Sequence, residues 1–153
     1  MHFSINSVDS VTSVIQLALA PVFLLSAVAT LITAITARLA RNVDRMRFVQ
    51  NELTNNDKIP DVLRRHYEKE FKEYKTRGRL GTGAIFFDVL SGVLVSMTVL
   101  ELFLTQAIEF SFFKTSFVII TFVLGLLSFM VALIFILIEV VYAHLSASWD
   151  VPS

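Results

Sequence analysis

Three carboxylates stand inside otherwise apolar stretches of this 153-residue chain: Asp88, Glu101 and Glu139. A carboxylate in such a setting can take up a proton, attract a cation or pair with a base. At the centre of a bilayer it costs about 2.5–3.5 kcal/mol on insertion scales, and less towards the interfaces, so it usually finds a partner or lines water. Bases stand close by in the sequence, because Arg38, Arg41 and Arg45 follow the first apolar stretch, with Asp44 among them. Asp88 and Glu139 are expected at the depth of Arg38 and Arg41, where ion pairs would pin the ends of the helices together. The competing reading is a titratable or cation-attracting site in a pore or relay. Glu101 lies towards the opposite interface, where only Lys114 could serve as its base.

The elements that must hold these residues are read from the apolar runs. Residues 11–37 carry no charge, 82–108 carry only Asp88 and Glu101, and 115–145 carry only Glu139. A helix needs roughly 20 apolar residues to cross a hydrocarbon core about 30 Å thick. Lipid offers no hydrogen-bond partner to the backbone, so a helix is the economical way across. The expected fold is therefore an all-α integral membrane protein forming a single membrane domain over 1–153. Its three transmembrane helices are 11–37, 82–108 and 115–145, with a helical hairpin over 38–79 between the first and second.

Charge sets the expected orientation. Twelve of the 13 Lys and Arg residues lie between Arg38 and Arg79, with 7 of the 13 Asp and Glu, a net +5 balanced by −5 elsewhere. Basic loops remain in the cytoplasm, which predicts the N-terminus outside, the hairpin and C-terminus in the cytoplasm, and a short outer turn over 109–114. Residues 1–10 contain no Lys or Arg, unlike the start of a secretory signal. Aromatic residues suit both interfaces: Phe103, Phe110, Phe112, Phe113 and Phe117 at the outer one, and Phe86, Phe87, Tyr142 and Trp149 at the inner one.

The hairpin is read from its periodicity. Leu39, Val43, Met46, Gln50 and Leu53 recur at helical spacing, so the first helix is expected to continue to about Thr54. Asn55, Asn56 and Asp57 read as a turn, and Pro60 suits the start of the next helix. Leu63, Tyr67, Phe71 and Tyr74 form the facing stripe. Each arm of about 16 residues would stand roughly 24 Å from the membrane. Gly78, Gly81 and Gly83 follow, and read as a flexible joint at the membrane. A phosphate-cradling loop is the lesser reading, since that fingerprint needs a preceding strand, and attraction of lipid headgroups by Arg77 and Arg79 lies between the two.

Within the membrane the third helix has the clearest pattern. Thr121, Gly125, Ser128, Ala132, Glu139 and Ala143 fall within a stripe roughly 60° wide. Small residues permit close helix contact and polar ones can bond across it. The first helix carries Ser26, Thr30, Thr33 and Ala37, continuing through Arg41 and Asp44. The second gathers Ser91, Thr98, Glu101 and Thr105, with Asp88 at the edge. Pro21 removes the amide that would bond the Leu17 carbonyl, giving a mild kink or, as the lesser reading, a gating hinge.

The chain has no cysteine, which excludes disulfides, thiolate nucleophiles and cysteine metal sites. His66 and His144 lie in different segments and read as solvated or interfacial. No serine–histidine–acid or paired-carboxylate spacing appears, so neither an enzyme nor a metal or cofactor site is expected, and no nucleic-acid partner.

The stretch from Gln16 through Pro21 to Leu25, the Arg38–Leu–Ala–Arg41–Asn–Val–Asp44–Arg45 motif and the late Glu139 resemble the bacterial membrane family catalogued as domain of unknown function 2721. The resemblance runs from about residue 8 to 145. It implies a small multi-pass protein of the bacterial inner membrane and carries no assigned activity. The motif positions are Pro21, Arg38, Arg41, Asp44, Arg45 and Glu139. In layout alone the chain is also similar to ion-driven stator subunits of the ExbB and TolQ type.

Three small helices bury little against one another, so self-association is expected. The leading expectation is a homo-oligomer whose polar stripes conduct ions or protons. The rival is a non-conducting scaffold that recruits a cytoplasmic or membrane partner through the hairpin.

Overall fold

The computed structural model describes residues 5–56, 60–107 and 115–148. They form three helices: α1 (Ile5–Asn55), α2 (Asp61–Ala107) and α3 (Thr115–Ser148). Each contains a segment long and apolar enough to cross a membrane. Asp57 of the hairpin turn, the outer turn over 109–114 with Phe110, Phe112, Phe113 and Lys114, and Trp149 lie outside the described residues. At 1.5 Å per residue α1 and α2 are about 76 Å and 70 Å long, more than twice a hydrocarbon core of about 30 Å. The turn ends at Pro60, whose carbonyl accepts the Arg64 amide at 3.0 Å. Proline belongs here because the first helical amides have no intrahelical acceptor to lose.

The helices are more continuous than expected. α2 runs unbroken through Gly78, Gly81 and Gly83, which removes both the flexible joint and the phosphate-cradling loop. Glycine costs about 1 kcal/mol relative to alanine within a helix; packing is tight against Gly83 and ordinary against Gly81. A Cβ on Gly83 would stand 3.0 Å from Phe135 Cε1, and one on Gly81 would stand 3.4 Å from Leu39 Cδ1.

One narrow edge of each helix is buried. In α1 it is Ala18, Pro21, Val28, Ile35, Asn42 and Val49, spaced by seven residues from Pro21 on. In α2 it is Gly81, Ala84, Asp88, Ser91, Val95, Thr98 and Glu101, at spacings of three or four. In α3 it is Thr121, Gly125, Ser128, Ala132 and Glu139. Apolar residues at such spacing form the seam of a coiled coil; here the seam is mostly small or polar. The buried share of each helix's most apolar window is 22%, 28% and 22% for α1, α2 and α3, so most of the apolar surface faces outwards, as lipid contact requires. Ser26, Thr30, Thr33 and Ala37 of α1 also face outwards. The α1 stripe is therefore not the counterpart of the α3 stripe, because the larger Val28 and Ile35 occupy the buried edge instead.

The chain divides into two compact units, residues 1–31 with 87–130 and residues 32–86 with 131–153. The first unit holds the closest approach of α2 to α3. A Cβ on Gly125 would lie 2.9 Å from Val95 Cγ2 and 3.5 Å from the Val95 backbone nitrogen. In the second unit the two hairpin arms are joined by Arg45 and Glu70 at 2.7 Å, and Val49 is wholly buried.

Close packing makes glycine position decisive. Gly125→Ala is expected to lower stability in detergent by about 1–3 kcal/mol, the usual penalty of overpacking. Gly78, where nothing lies within 4 Å of an added Cβ, should instead gain up to about 1 kcal/mol as alanine. Thermal unfolding of the two variants measures the difference, and equal effects would contradict the α2–α3 contact.

Candidate functional site

The polar side chains gather in two places. The first lies between α2 and α3 in the first unit. The Ser91 hydroxyl donates to the Gly125 carbonyl at 2.8 Å, and the Ser128 hydroxyl donates to the Phe87 carbonyl at 2.7 Å. Each helix thus sends one hydroxyl to the other's backbone. A hydroxyl reaches a neighbouring backbone only where the helices come close, and Gly125 allows this.

Towards the other end of the same seam, the Thr121 hydroxyl donates to Glu101 Oε2 at 2.8 Å. The Thr98 hydroxyl lies 3.2 Å from Thr121 Oγ1. Carbonyls one turn back, of Phe117 for Thr121 and of Leu94 for Thr98, are also within reach. A charged acceptor gives the stronger bond, so Thr121 serves Glu101. Glu101 is only 3% exposed, and its Oε1 has no hydrogen-bond partner among the described residues. Its expected partner Lys114 lies outside the described residues.

Asp88 is more isolated still. It is wholly buried, and neither carboxylate oxygen has a hydrogen-bond partner among the described residues. The expected pairing with Arg38 or Arg41 does not occur. Asp88 sits in the middle of the buried α2 edge, not at the side of a polar stripe, because its spacing to Ala84 and Ser91 is the same four and three that the rest of the edge follows. An uncompensated charge at such a place is expensive.

The second gathering is in the other unit. Glu139 of α3 is buried and meets two arginines: Arg38 of α1 at 2.7 Å through Oε2, and Arg77 of α2 at 3.1 Å through Oε1. One carboxylate thereby ties three helices together. Arg38 was among the expected partners of Glu139, whereas Arg41 is exposed and pairs with no carboxylate among the described residues. Arg77 takes the place expected of Arg41. A sign of it was available, since the buried α2 edge, followed back from Gly81 by four residues, arrives at Arg77.

Arg45 does not join this cluster. It pairs with Glu70 and lies over the Phe48 ring at 5.1 Å, tying the hairpin arms instead. Asp44 is exposed, and Pro21 is buried within continuous helix α1. His66 and His144 are exposed. Among the described residues no group of three or more His, Asp or Glu could hold a metal ion.

Buried small and polar edges beneath an outward apolar surface define a multi-pass membrane protein of three helices. The chain belongs to the family described as Protein of unknown function (DUF2721), which matches residues 18–148. No curated protein and no solved structure matches it.

The Glu139 cluster can be tested by its asymmetry. Glu139→Gln removes the negative charge from two arginines and turns one of them onto an amide NH2, and is expected to cost about 2–3 kcal/mol, given what charged hydrogen bonds contribute. Arg38→Gln leaves Arg77 on the carboxylate and should cost roughly half as much. A double-mutant cycle on thermal stability should show coupling between Arg38 and Glu139; simple additivity would mean the pair does not interact.

Proposed function

We propose that the chain acts as a homo-oligomer whose copies meet along the outward polar face of α1 and enclose a path for ions or protons. The observation that carries this reading is the exposure of Ser26, Thr30, Thr33, Ala37, Arg41 and Asp44. At about 100° per residue these six fall within a sector of roughly 80° on the helix. Ser26 and Thr30 turn their hydroxyls onto their own helix, bonding the carbonyls of Val22 and Ser26. The face is therefore smooth and small, which favours helix–helix contact in a bilayer. Arg41 and Asp44 at its end offer opposite charges to a neighbouring copy. The hydroxyls of Ser91, Thr98, Thr121 and Ser128 are already engaged between α2 and α3, so they do not line a shared path.

The basic hairpin supports a cytoplasmic placement, with the N-terminus outside, in the inner membrane of a bacterium. No enzymatic step belongs to this reading. A second reading, a non-conducting scaffold that recruits a partner through the hairpin, is favoured by exposed apolar side chains there: Val62 at 74%, Phe48 at 49% and Leu63 at 40%.

Light scattering in mild detergent and flux into liposomes separate the two. The wild type is expected to be oligomeric and conducting, and Thr30→Phe or Ala37→Phe should yield a non-conducting monomer. Asp88→Asn and Glu101→Gln, buried away from the α1 face, should leave flux unchanged. A wild-type monomer would remove the shared path, and an oligomer with background flux would leave the scaffold.

A further inference from the structure

We infer that the cavity beside Glu139 seats the headgroup of an anionic phospholipid, recognised through its phosphate. The cavity measures about 20 Å³ and is lined by the apolar Ile35, Leu39 and Ile136, by Gly81, and by the polar Arg38, Asn42 and Glu139. Such a volume holds roughly one water, or one oxygen of a larger group that rests at the mouth.

The charges select an anion. Arg38 and Arg77 share the single carboxylate of Glu139, so the three together carry one positive charge. A cation in the cavity would meet the Arg38 guanidinium, and the Glu139 carboxylate beside it is already held by Arg38 and Arg77. Arg38 commits one nitrogen to Glu139, and its side chain is 36% accessible. A guanidinium has five N–H donors in a planar fork suited to phosphate oxygens, which leaves donors facing the mouth. Asn42, only 8% exposed, adds an amide to the lining.

Position and wall chemistry then select a lipid over a free ion. Arg38 directly follows the charge-free run 11–37, the depth at which headgroups lie. Basic pockets between membrane helices at that depth suit phospholipid headgroups. Leu39 and Ile136, which line the cavity and are only half-buried, offer apolar surface to the glycerol and first methylene groups, a surface that inorganic phosphate leaves unused. The inference requires only that the helices cross a bilayer, and it is independent of conduction and of copy number.

The test is native mass spectrometry of the full chain in mild detergent, with phosphatidylglycerol, phosphatidylcholine and inorganic phosphate as probes. Phosphatidylglycerol should be retained in preference to phosphatidylcholine. Asn42→Leu and Arg38→Gln should each weaken its retention about tenfold, the loss of one hydrogen bond to a charged group. Gly81→Ala changes no charge, and its Cβ would make ordinary contact with Leu39 at 3.4 Å. It should therefore fold normally and weaken retention by narrowing the cavity. Lys72→Gln, on the exposed face of the hairpin, should behave as wild type. Equal retention of the two lipids, displacement by inorganic phosphate at matched concentration, or unchanged retention in well-folded Asn42→Leu and Gly81→Ala would each overturn the assignment.

Discussion

Apolar helices in lipid have no hydrophobic reason to prefer one another, since acyl chains solvate leucine as well as leucine does. Association must come from close van der Waals contact and from hydrogen bonds that lipid cannot make. The crossing of α2 and α3 at Gly125 meets both demands. Absence of a side chain on Gly125 brings the backbones together, and that proximity lets Ser91 and Ser128 each reach the opposite backbone. The bonds and the approach depend on each other, and the Thr98–Thr121–Glu101 chain extends the same contact.

The Glu139 cluster solves the same problem with charge. A single buried carboxylate would be expensive, but two guanidinium groups satisfy both its oxygens. Breaking a buried pair costs more than the pair contributes over an apolar substitute. The cluster therefore specifies which helices meet more than it adds to stability. Arg45 and Glu70 repeat the device between the hairpin arms. The partly exposed arginines remain able to bond other acceptors while holding Glu139.

These internal uses of polarity change the functional picture. Most hydroxyls on the α2 and α3 edges act as links within the chain. The outward hydroxyls of Ser26 and Thr30 in the apolar stretch of α1 bond their own helix and link it to no other. Asp88 has neither role: it is wholly buried, and no described residue bonds its carboxylate.

Much of this architecture was legible in the chain alone, for physical reasons. Hydropathy over a window long enough to cross a bilayer is a local property, so the three spans and the hairpin followed directly, as did the α3 edge through its 3.6-residue period. Thr121, Ser128 and Glu139 are buried where that period placed them. Helical continuity through three glycines was not legible, because the packing of Phe135 and Leu39 that tolerates them comes from other helices. Nor was the direction of the α1 stripe, since small polar residues suit an internal contact and an external one equally, and only the fit of Val28 and Ile35 decided between them. The choice of Arg77 over Arg41 for Glu139 was likewise tertiary. Periodicity assigns a residue to a face of its own helix, but which base a carboxylate meets depends on the depth and rotation of two helices against each other, and that is set by packing along their whole length.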